Sequence, residues 1–206
     1  MLNQPTQTRP PPPEAIILLL DPHDHIESVG GAWLEAAAEG GAAESLAPER
    51  VIGQPFERFI GSDTTRMYYA ALLKLCRLKA HSISRDYRCD SPTHKRFMRM
   101  ELHPLPERRV ETRHYLLKAE PFAHPVTPVD HTDPASRRGH THSTFSLRCS
   151  ICNRLRLPQQ STWVEPETLS HHGPCHLKVI HTICPDCKAT DWLRHLPQNR
   201  SVDATL

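Results

Sequence analysis

The chain has 206 residues, with 25 Lys and Arg against 23 Asp and Glu, 15 His, 20 Pro, 7 Cys and few aromatic side chains (5 Phe, 4 Tyr, 3 Trp). That length suits one ordinary domain, or a domain of about 100 residues with a smaller module, and 38% apolar content supports one modest core rather than a core spanning the whole chain. A formal charge of +2 with interleaved signs gives no electrostatic case for nucleic acid or anionic membrane along the full length.

The first 14 residues, MLNQPTQTRPPPPE, are polar and Pro-rich and read as a disordered arm. Ala15 to Leu20 is the longest purely apolar run. It is far short of the roughly 20 residues that span a bilayer, and the segment before it is not the basic region of a signal peptide. The expectation is therefore a cytoplasmic protein with no membrane segment. The same run is a buried-strand candidate ended by Asp21-Pro22, and a short second strand follows at Ile26 to Val29. Gly30-Gly31 leads into a helical stretch from Ala32 to Glu39, closed by Gly40-Gly41. Val51 to Ile60 reads as a turn into a short helix.

The clearest helix runs from about Ser62 to Lys79, with Ser62 or Asp63 as its cap and Tyr68, Ala71, Leu72, Leu75 and Cys76 on one face. Three strand candidates follow at Ser82 to Cys89, Arg96 to Leu105 and Val110 to Ala119. In the middle one Met98, Met100 and Leu102 alternate with Arg99, Glu101 and His103. This order predicts an α+β domain over residues 15–120, one antiparallel sheet with helices on one face. Residues 121–146 read as a linker by composition, 147–194 as a second ordered module and 195–206 as a tail.

Four cysteines form two pairs, Cys149-Ser-Ile-Cys152 and Cys184-Pro-Asp-Cys187. In a reducing compartment such pairs favour metal or redox chemistry over structural disulfides. A C-x-x-C turn aims two sulfurs at one point, and two such knuckles supply the tetrahedral S₄ set that Zn²⁺ prefers. Iron in a rubredoxin-like cage uses the same ligands. The 31 residues between the pairs exceed the usual separation, but lengthening a loop from about 18 to 31 residues costs only about 0.5 kcal/mol. Zinc binding contributes on the order of 10 kcal/mol. Arg154, Arg156 and Lys178 are placed to offset the charge of four thiolates, and His181 is a candidate outer-shell partner or alternative ligand.

Two further groups of residues carry a resemblance. The segments GGAWLEAAAEGG, ERVIGQPFERFIGSD and RCDSPTHKRFMRMELHPLPERRVETRHYLLKAEPF resemble those of a PAS-type sensory domain. RCSICNRLR, WVEPETL and HTICPDC resemble a short zinc-binding tail that follows sensory and receiver domains in bacterial signalling proteins. Cys149, Cys152, Arg156, Trp163, His181, Cys184, Pro185 and Cys187 match that tail; Asn153 stands where Lys is usual and Thr182 where Gly is usual. The resemblance implies a PAS-like sheet followed by a small zinc-ribbon-like module, with Cys149, Cys152, Cys184 and Cys187 as zinc ligands. It also implies a ligand hollow between sheet and long helix, for which Trp33, Phe56, Phe59, Met67, Tyr68, Leu72, Met98 and Met100 are the candidate lining.

The sequence holds no G-x-S-x-G, no Gly-rich phosphate loop and no kinase or cyclase motif, so the expected function is non-enzymatic. The resemblance implies a sensor of an unknown ligand that signals by contact, as a homodimer or with a separate signalling protein. Two other readings stay open. One is a zinc-dependent nucleic-acid-binding regulator using Arg148, Arg154, Arg156, Lys178 and Lys188, with Trp163 and Trp192 to stack on bases. The other is a thiol-redox sensor.

Overall fold

The computed structural model describes residues 14–91, 93–123, 126–130, 145–169 and 175–192. The predicted arm at 1–14, save its last residue, most of the linker and the tail lie outside them. Backbone proximity divides the chain into two compact units. Of the described residues, the first takes those up to Phe59 with Ala70–Tyr87 and Arg96–Glu120, and the second takes those within Ile60–Tyr69, Arg88–Lys95 and from Pro121 onward.

The apolar run forms strand β1 (Ile16–Leu20), which turns back through Asp21 into β2 (Ile26–Gly31). The Asp21 carboxylate makes the turn by accepting the His23 and His25 amides, each at 2.8 Å. Gly31 is required where β2 ends. Its φ is +58°, and a Cβ there would stand 1.9 Å from the Ala15 carbonyl oxygen, which is occupied by the Ala32 amide at 2.9 Å. Helices α1 (Trp33–Glu39) and α2 (Pro48–Val51) and a single 3-10 turn at Phe56–Phe59 lead to the long helix α3 (Asp63–Lys79). Ser62 caps α3, its Oγ accepting the Thr65 amide at 3.2 Å.

Strands β3 (Ile83–Arg88), β4 (His94–Pro104) and β5 (Val110–Pro121) complete a five-stranded sheet in the order β2-β1-β5-β4-β3. β1 runs antiparallel to both neighbours. Register places Leu18 opposite Thr112 and Leu20 opposite Val110, and all four are buried. Met98, Met100 and Leu102 are buried on β4, as the alternation predicts. Helix α3 meets this face through Cys76, whose Sγ lies 3.7 Å from the Leu102 carbonyl; burial pushes that thiol's pKa up. The buried stripe on α3 is Leu72, Leu73 and Cys76, while Ala71 is exposed. The face is thus rotated from the predicted one, because Leu73 offers more apolar surface to bury than Ala71.

The second unit holds a four-stranded sheet ordered β6 (Val126–Asp130), β9 (Cys175–Thr182), β7 (Ser146–Cys149) and β8 (Leu155–Arg156). β9 pairs in parallel with both β6 and β7, and β7 pairs antiparallel with β8. The strand at 126–130 corrects the expectation of a linker over that stretch. Its hydrogen bonds go to β9, about 50 residues downstream, a partner that local composition does not reveal. Helix α4 (Pro185–Trp192) ends the described chain.

Candidate metal centre

The first knuckle sits at the end of β7 and is closed by backbone bonds. The Cys149 amide donates to the Arg154 carbonyl at 2.9 Å, and the Asn153 amide to the Cys149 carbonyl at 3.0 Å. To make this reversal Asn153 adopts φ 59°, a left-handed conformation that Asn tolerates better than most side chains. The same residue is buried, and its amide Nδ2 donates to the Arg88 carbonyl at 3.3 Å. Asn where the tail pattern has Lys is therefore accounted for by backbone shape and a buried acceptor.

The second knuckle is the start of α4. Pro185 takes the first helical position, where its lack of an N–H costs nothing, and Cys184 stands just before it. Cys184 Sγ accepts the Cys187 amide at 3.5 Å, as a Ser oxygen would at a helix start, while Cys149 Sγ accepts the Cys184 amide at 3.4 Å.

The four sulfurs of Cys149, Cys152, Cys184 and Cys187 lie within 4.8 Å of one another. None is in a disulfide. Cys152 and Cys184, one from each knuckle, are 3.8 Å apart. A tetrahedral cage with metal–sulfur bonds of about 2.3 Å has edges of about 3.8 Å, so the spacing fits an ion at the centre. The donor set fits as well. Hydrogen bonding with Cys149 holds the Cys152 thiol far below its ordinary range, with Cys187 and Arg154 adding to the effect; Cys149 and Cys187 are pushed up in turn. Cys149, Cys152 and Cys187 shift against one another because thiolates this close repel unless a cation lies among them.

Arg154 spans the two knuckles. Its Nε lies 3.3 Å from Cys152 Sγ, and its Nη2 lies 3.7 Å from Cys184 Sγ and 2.8 Å from Asp186 Oδ2. Of the three cations expected to offset the thiolates, this one reaches them. Arg156 instead lies over the Trp163 ring at 5.8 Å, so two residues matched to the tail pattern stack on each other. His181 lies on β9, outside the converging sulfurs. Its Nδ1 is 3.5 Å from the hydroxyl of Ser150, inside the first knuckle, and its carbonyl accepts the Thr64 hydroxyl at 3.0 Å. His171 and His172 lie outside the described residues, as do the side chains of Cys175 and His176.

The sequence does not single out Arg88 as part of this site. Its guanidinium is buried and forked on Asp90, with Nε to Oδ1 at 3.0 Å and Nη2 to Oδ2 at 2.7 Å, while Nη1 reaches Glu165 Oε2 at 2.6 Å. Its amide donates to the Ile151 carbonyl at 2.7 Å. Arg88 opens the R-C-D-S-P segment. Cys89 is exposed, and its neighbour Arg88 is the buried residue.

Among the residues expected to line a hollow, Leu72, Met98 and Met100 are buried, and Trp33, Phe56, Phe59 and Tyr68 are half-buried. Trp33 Nε1 donates to the Leu46 carbonyl at 2.8 Å. Met67 is 74% exposed and departs from the expectation, because it falls on the turn of α3 opposite the buried stripe. Met67 and Tyr68 also belong to the second unit, the other six to the first.

No protein-family model matches the chain, and no curated protein matches it. Among solved structures, a domain of an HTR-like protein from Haloarcula marismortui ATCC 43049 is similar at 13% identity and a TM-score of 0.39. The similarity covers 50% of this chain and 98% of that one.

Proposed function

We propose that the chain is a non-enzymatic regulatory protein, a PAS-like sensor joined to a Cys₄ zinc module that presents a surface for protein contact. The observation that carries the zinc reading is the convergence of four sulfurs within 4.8 Å from two knuckles far apart in sequence. The sensor reading rests on the sequence resemblance, and the five-stranded sheet with α3 on its buried face supports it. Signalling then works through contact with a second copy or a separate regulator in the cytoplasm. No helix among the described residues is long and apolar enough to cross a membrane.

The zinc is structural in this reading. Among the described residues the fully buried apolar side chains around the knuckles are few, chiefly Leu155 and Val179 with Cys149 and Cys184. A core that small needs a metal to hold it. The nucleic-acid reading draws less support, since Arg154 is engaged by sulfurs and Asp186 and Arg156 by Trp163.

Native mass spectrometry of the purified protein tests the assignment. One zinc per chain is expected, lost in Cys149→Ser and Cys187→Ser, with the second unit unfolding in both. A protein that retains its metal in these variants refutes the site, and visible charge-transfer absorption assigns iron in place of zinc. Steeply salt-dependent binding to nucleic acid would favour the alternative function.

A further inference from the structure

We propose that Arg88 positions the first metal knuckle, so that a residue 61 positions before the first cysteine ligand governs how firmly the metal is held. The proposal rests on the metal reading above and adds a residue that the ligand pattern does not contain. Arg88 meets the knuckle by backbone on both sides. Its amide donates to Ile151, the residue between the knuckle's Ser150 and Cys152, and its carbonyl accepts Asn153, the residue that turns the chain back after Cys152. One bond on each side of Cys152, from the Ile151 carbonyl and from the Asn153 side-chain amide, restrains where that sulfur points.

The guanidinium then fixes Arg88 itself. A planar fork on Asp90 with a third bond to Glu165 uses donors along both edges of the group. Arg88 and Asp90 side chains are each only 6% exposed, so breaking the pair would leave a charge buried and unpaired. Glu165 adjoins Val164, whose amide and carbonyl pair with Leu155 just past the knuckle at 2.8 and 2.9 Å. The side chain therefore ties together the turn at 88–90, the segment at 164–165 and, through its own backbone, the knuckle. Partners bonded directly to a metal ligand typically contribute 10–100-fold to metal binding; Arg88 acts one residue further out, on Ile151 and Asn153, so an effect at the low end of that range is expected.

The test compares the full chain with Arg88→Lys and Glu165→Gln. Each is loaded with zinc for transfer to a chromophoric chelator, and with Co²⁺ for its visible spectrum. Lys keeps the charge but not the fork, and Gln at the half-exposed position 165 keeps an acceptor but takes the charge from one arm without disturbing the ligands. The expected result is one metal per chain in all three proteins, with transfer about tenfold faster for Arg88→Lys and about threefold faster for Glu165→Gln. The Co²⁺ ligand-field bands should shift in the Arg88 variant. Wild-type transfer rate and an unshifted spectrum in folded Arg88→Lys would overturn the proposal. Should that variant not fold, a wild-type rate in Glu165→Gln would overturn it. A wild-type protein that binds no metal would instead sink the zinc reading, before the variants are compared.

Discussion

His114 shows what burial does to one residue. It lies on the buried face of β5 with Tyr87 Oη 2.9 Å from its Nδ1, and burial lowers its pKa to about 4 from an ordinary 6.5. Below pH 6.5 the unfolded chain takes up a proton that the folded one refuses, so this contribution is complete above 6.5 and is lost as pH falls toward 4. The shift corresponds to about 3 kcal/mol across that window. Urea unfolding at pH 7, 5.5 and 4.5 should show wild type losing this stability relative to His114→Gln, in which nothing titrates at that position. A stability difference between the two that stays constant with pH would refute the account. No spacing rule marks His114, because a single histidine on an alternating strand reads the same whether it is buried neutral or exposed.

At the scale of elements, the turn out of β2 depends on one glycine. Gly31→Ala puts a methyl group into the Ala15 carbonyl at a backbone angle that suits only glycine well. It should cost roughly 2–4 kcal/mol, read as a fall in the urea midpoint of the five-stranded sheet; a loss below 1 kcal/mol would show that the β1–β2 register absorbs the clash. The first sheet was largely legible because its elements carry their own signals: alternation in β4, an apolar run stopped by Asp-Pro in β1, a capped amphipathic α3. The second sheet was not. β6 is Val-Thr-Pro-Val-Asp, short and polar, and becomes a strand only through pairing with β9. The two knuckles stood out because metal coordination imposes a rigid spacing. Arg88 did not, because its partners Asp90 and Glu165 are ordinary acids whose burial depends on the fold.

For the whole molecule, the two units should respond differently to metal removal. Chelation at neutral pH should raise amide exchange over residues 149–155 and 179–188 to near-unfolded rates. Residues 98–102 and 110–114, in the sheet with its own apolar core, should stay protected. Uniform loss of protection, or none anywhere, would contradict this. The parallel pairing of β7 and β9 also has a consequence for biosynthesis. Arg88 leaves the ribosome with Asp90 beside it, but Glu165 follows 77 residues later, roughly 4–15 s at about 5–20 residues per second. The bidentate local partner shields the charge during that wait, and the distant one arrives when the second knuckle is nearly made. On the metal reading, the site cannot close before Cys187 has emerged, and a chain made without metal would carry a finished first sheet and unclosed knuckles exposed to cellular proteases.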